Sequence, residues 1–161
     1  TESFLETYPF KEEEIKRQLE KELCVVYFGL NDFDKAWHYN QSFIQNIKPF
    51  MYFDRQEFMR LFFLFILLEK KEWDYLRNRI KQYERYIKTK DESLYTFDKL
   101  IIEFMKKMVS SKEWRGKQMG HLRWLKKEIN NLIRYNHLHT KEVLRTFNFI
   151  EWIDRKLATN S

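Results

Sequence analysis

The chain has 161 residues, 43% of them hydrophobic and 18% aromatic, which is enough for a substantial core and far too apolar for a disordered polypeptide. Three glycines and two prolines leave too few turn residues for a sheet protein, so the composition calls for long helices joined by short polar connections. The net charge of +6 is uneven: residues 1–80 hold 12 basic against 14 acidic side chains and residues 81–161 hold 18 against 10, an asymmetry that suits an anionic partner for the second half.

Apolar residues recur at intervals of three and four nearly throughout, the helical period. A first helix is expected after Pro9, whose fixed φ suits a first turn, with Glu12, Glu13 and Glu14 favourable against the helix dipole. It directs Ile15, Leu19, Leu23, Val26 and Leu30 inward and stops near Gly29. Asp32 reads as the N-cap of a second helix carrying Phe33, Ala36, Trp37, Phe43 and Ile47, ending ahead of Pro49. Asp54 and Glu57 have capping-box spacing for a third, to about residue 70. Its apolar run, residues 61–68, lacks a polar face, so that helix belongs at the centre of the domain. A fourth follows over residues 73–87 with Leu76, Ile80 and Tyr83 inward. After a polar turn at 88–92, a fifth covers 94–109. Ser110 and Glu113 form another capping-box pair, opening a sixth helical region to 135 that Gly116 and Gly120 bend or interrupt. Thr140 caps a seventh helix with Val143, Leu144, Phe147, Ile150 and Ile153.

The lone Cys24 excludes an intramolecular disulfide, fits a reducing, cytoplasmic compartment, and lies among apolar neighbours as inert core. No signal peptide opens the chain, and the eight-residue apolar run at 61–68 is too short to span a bilayer. The chain opens at Thr1 rather than Met and reads as part of a longer protein.

Two segments align at a spacing of 40 residues. Tyr27-Phe28-Gly29-Leu30-Asn31-Asp32-Phe33-Asp34-Lys35-Ala36 matches Leu67-Leu68-Glu69-Lys70-Lys71-Glu72-Trp73-Asp74-Tyr75-Leu76. Each ends an apolar helix, makes a short polar turn, and follows with an aromatic, Asp, and an apolar residue three places after the aromatic. Phe33 and Trp73 are placed as wedges between paired helices, with Ala36 and Leu76 permitting close approach. In Gly29, Phe33 and Ala36, with Cys24 in the small-residue position before them, the sequence resembles a divergent tetratricopeptide-like helical repeat. The second copy has Trp73 but no glycine, and the spacing exceeds the usual 34 residues or so.

The resemblance implies an all-α fold of antiparallel helix pairs stacked as a short right-handed solenoid of about seven helices. It forms one domain over 1–161, with repeats at 15–47 and 54–87 and further helices at 93–157. It also implies a non-enzymatic scaffold that binds another protein, or another segment of its own longer chain, in a groove lined by Phe58, Leu61, Phe65 and Leu68. The same four positions also suit simple core packing.

The sixth helical region supports an alternative. Arg115, Lys117, Arg123, Lys126, Lys127 and Arg134, with Trp114, Trp124 and Tyr135 interleaved, suit a face that tracks phosphates and stacks on bases; a plain solvated face has the same composition. His121, His137 and His139 lack a metal-ligand spacing, there is no phosphate-cradling glycine loop, and no isolated carboxylate pair stands out for acid–base work. The sequence therefore calls for no cofactor and no catalytic residue.

Overall fold

A computed structural model describes residues 2–45, 53–89, 95–135 and 138–159, with side chains described for all of these except 2–11, 53–55 and 138–139. Every regular element among them is an α-helix. In chain order they are α1 (Glu2–Gly29), α2 (Phe33–Gln45), α3 (Phe53–Glu69), α4 (Trp73–Ile87), α5 (Thr96–Ser110), α6 (Arg115–Arg134), α7 (Leu138–Thr146) and α8 (Phe149–Ala158). The chain divides into two compact units, Thr1–Ile66 and Leu67–Ser161.

In the first unit α1 doubles back onto α2. Paired positions converge on the turn: Arg17 with Ser42, Cys24 with Ala36, Phe28 with Phe33. Ala36 is fully buried, and the Cys24 thiol donates to its carbonyl oxygen at 3.3 Å, a contact that two small side chains permit. Burial pushes the Cys24 thiol up to about 12. Asp32 caps α2 as its sequence position suggested, its Oδ1 accepting from Lys35 N–H at 3.2 Å. Buried Asn40 donates from Nδ2 to the Met59 carbonyl at 2.8 Å and so ties α2 to α3, while Phe62 packs on Phe28 and Phe58.

The side of α1 that faces this core is not the one its periodicity indicates. Ile15, Leu19, Val26 and Leu30 are 64%, 52%, 53% and 68% exposed. The buried residues are Arg17, Glu20, Cys24 and Phe28, on the opposite side. Arg17 Nη1 donates to Glu20 Oε2 at 2.5 Å and to the Ser42 carbonyl at 3.2 Å, and Ser42 Oγ donates to Glu20 Oε1 at 2.7 Å. Opposite charges three residues apart neutralise each other and enter the interior together, which leaves the apolar stripe outside.

In the second unit α4 packs on α5, α5 on α6, and α6 on α7 and α8. Leu76, Ile80 and Tyr83 point inward from α4, as their spacing required. Tyr83 Oη donates to buried Asp98 at 2.5 Å. Phe97 packs on Phe149 and Phe104 meets Trp152 edge-on, joining α5 to α8. Trp152 Nε1 donates to Glu69 Oε1 at 2.7 Å, and Lys156 binds the other carboxylate oxygen, so the end of α3 is held by α8 across more than 80 residues of sequence.

The two aligned segments build the same turn, one in each unit. After α1, Asn31 N–H donates to the Phe28 carbonyl (3.0 Å) and Asp32 N–H to that of Tyr27 (2.9 Å), with Asn31 at φ 61°. After α3, Lys71 N–H donates to Leu68 (3.1 Å) and Glu72 N–H to Leu67 (3.0 Å), with Lys71 at φ 58°. This is the Schellman arrangement, whose left-handed residue Asn tolerates and Lys accepts only with a strain of about 1–2 kcal/mol. Gly29 ends α1 where the sequence placed the stop, but it is not the left-handed residue of the turn. It is the last helical residue of α1, its φ is not positive, and a side chain there would meet nothing within 4 Å. The turn falls instead on Asn31. Phe33 and Trp73, expected as wedges between paired helices, are half-buried rather than enclosed.

Several boundaries shift for local reasons. α1 runs through Pro9 from Glu2, placing that proline in the body of the helix at the loss of one ladder donor. Ser110 turns its hydroxyl back onto the Lys107 carbonyl, so it ends α5 instead of capping α6, which begins at Arg115 behind an uncapped Trp114. Gly116 and Gly120 neither bend nor interrupt α6; both are exposed with open space around them. Thr140 lies buried inside α7. The seventh helix of the sequence reading is two helices, because Asn148 Oδ1 accepts from Glu151 N–H at 3.1 Å and starts α8 afresh. Eight helices thus stand among the described residues where about seven were expected. Ile47, Pro49 and the side chain of Asp54 lie outside the described residues.

Candidate functional site

Phe58, Leu61, Phe65 and Leu68, the expected groove, are all buried. The exposed apolar surface of the first unit lies on α1 instead. Ile15 and Val26 are eleven residues apart, as are Leu19 and Leu30, and half-buried Leu23 lies between. An eleven-residue spacing nearly matches the helical turn, so the stripe runs almost straight along the helix rather than winding around it. Lys35 lies over the Tyr27 ring at 4.9 Å, and Tyr27 stacks on Tyr39, which closes the adjoining seam between α1 and α2.

The six basic residues expected on one face of the sixth helix separate. Lys126 pairs with Asp154 at 2.6 Å, Lys117 lies over the Trp114 ring at 4.8 Å, and Arg115 sits in the first turn. Arg123, Lys127 and Arg134 share one exposed side, with no carboxylate partner among the described residues. Trp114, 62% exposed, and Tyr135, 81% exposed, flank the two ends of that helix. Trp124 is committed elsewhere, with Lys107 over its ring at 4.9 Å. His121 is half-buried beside Lys107 and Lys117; burial first, then these two cations, hold its pKa below the usual histidine value.

A cleft of about 630 Å³ opens in the second unit. Leu68, Met108, Met119, Leu122 and the indoles of Trp73 and Trp152 give it apolar walls. Lys71, Lys112, Glu113 and Arg115 stand around it, and Gln118 staples the adjoining α5–α6 turn by donating to the Ser111 and Lys112 carbonyls at 3.1 and 3.2 Å. No single stretch of sequence announces this cleft. Its walls come from α3, α4, α5, α6 and α8, and the only local sign was an aromatic immediately after a turn, at Trp73.

Among the described residues no group of His, Cys, Asp and Glu is arranged to hold a metal ion, and no helix is long and apolar enough to cross a membrane. His137 and the side chain of His139 lie outside the described residues. Comparison with protein-family models, with curated proteins and with solved structures gives no match.

Proposed function

We propose that the chain is a non-enzymatic interaction module of tetratricopeptide-like kind, which binds an apolar helix of another protein along the outer side of α1. The observation that carries this is the exposure of Ile15, Leu19, Val26 and Leu30 on one straight line of one helix. A surface helix normally turns such a stripe into its own core; large apolar residues grouped outside mark an interaction surface. A partner helix presenting apolar residues at matching intervals buries them by ridge-into-groove packing. The double variant Leu19→Lys/Val26→Lys keeps its helicity and unfolding midpoint, since both side chains already face water, yet releases polypeptides that the immobilised wild-type chain retains. Retention of the same polypeptides by both forms overturns the reading. Light scattering identifies a second copy of this chain as the partner if the wild type is dimeric and the variant monomeric.

The uncompensated cations of α6 favour a second reading, single-stranded nucleic acid tracked by Arg123, Lys127 and Arg134 and stacked on Trp114 or Tyr135. Three phosphate contacts weaken binding about 20-fold between 50 and 200 mM salt. Fluorescence anisotropy of a labelled RNA strand shows that slope, and Arg123→Glu/Lys127→Glu removes binding; equal binding by the double variant sinks this reading.

A further inference from the structure

The cleft of the second unit was not part of either reading, and it has the features of a small-molecule site. Its volume of about 630 Å³ falls within the range of ligand pockets, roughly 300–1,000 Å³. One wall is set in advance. Trp152 is held by its bond to Glu69 and by edge-on packing against Phe104, so its indole is fixed before anything enters. Trp73 adds a second indole, and Met108 and Met119 supply polarizable, adaptable surface that accepts flat rings well.

The charges lining the cleft do not cancel. Glu69 gives both carboxylate oxygens to Trp152 and Lys156. That leaves Lys71 and Lys112 against the single exposed carboxylate of Glu113. Lys71 and Lys112 are exposed and have no acidic partner among the described residues. Lys71 also occupies the left-handed position of its turn, where the equivalent residue of the first turn is the far more tolerant Asn31. Backbone strain of this kind persists where a side chain is needed for something other than stability.

We propose that this cleft binds a small planar aromatic anion, its ring system lying against Trp73 and Trp152 and its carboxylate or phosphate held by Lys71 and Lys112. The site is independent of the α1 surface and of the basic side of α6. The probe is 2-naphthoate, with 2-naphthalenemethanol as its uncharged counterpart, each titrated into the whole chain by calorimetry. One naphthoate binds per chain, and the alcohol binds more weakly. Lys71→Glu/Lys112→Glu weakens naphthoate by at least about tenfold and leaves the alcohol unchanged. Met119→Trp, at a half-exposed position where added bulk fills the cleft, removes both. Leu19→Lys/Val26→Lys alters neither, which separates failure of this site from failure of the α1 surface. Absence of saturable binding at millimolar concentration, equal affinity for the alcohol, or full retention of naphthoate by the charge-reversed variant overturns the proposal.

Discussion

Replacing Arg17 with Met destabilises the chain by about 3–5 kcal/mol, the usual consequence of leaving one member of a buried ion pair uncompensated. Both Arg17 and Glu20 are buried, at 2.5 Å from each other. Without the guanidinium, Glu20 keeps the Ser42 hydroxyl at 2.7 Å but loses the cation that makes its charge tolerable. The double variant Arg17→Met/Glu20→Leu reverses the loss and can exceed the wild type, because two desolvated charges give way to apolar contacts. Arg17 Nε already lacks a hydrogen-bond partner among the described residues, so the native pair is itself imperfectly satisfied. Urea unfolding of the two single variants and the double variant measures the cycle. A single-variant loss under ~1 kcal/mol would mean that water reaches the pair.

Trp152→Ala is the second large effect, again about 3–5 kcal/mol, from the void left by the largest side chain on α8. It also removes the indole donor from Glu69 and the edge of the Phe104 pair. Trp152→Phe keeps most of the packing and deletes the hydrogen bond, so it isolates a contribution of about 1.5–3 kcal/mol from a bond to a charged acceptor. Thermal unfolding followed by far-ultraviolet circular dichroism separates the two. If Phe costs as much as Ala, the bond to Glu69 dominates; if Phe is neutral, packing does.

What the sequence made legible follows from the range of each signal. The span of α4 with its buried face, and the Asp32 cap, are set by neighbours three or four residues away. Periodicity reads such features directly. It located the apolar stripe of α1 correctly and assigned it to the wrong side, because a per-residue scale scores Arg17 and Glu20 as solvent-seeking and cannot register that they neutralise each other. The Ser110–Glu113 spacing was a true capping pattern overruled by a hydroxyl that found a carbonyl in its own helix, whereas the Asn148–Glu151 cap carried the same signal and passed unread. The cleft lay beyond any local reading: Glu69 and Trp152 meet only after four intervening helices are placed.

Cys24 lies buried in the seam between α1 and α2, and it is the only cysteine of the chain. With burial pushing its thiol to about 12, the nucleophilic thiolate is scarcely populated at neutral pH while the seam is shut. Alkylation therefore waits for the two helices to part. The rate at which an added maleimide is consumed becomes a clock for that separation, and its dependence on reagent concentration gives the free energy of the opening rather than of complete unfolding. The first hairpin thus carries its own reporter of breathing, with no competing thiol elsewhere in the chain to blur the signal.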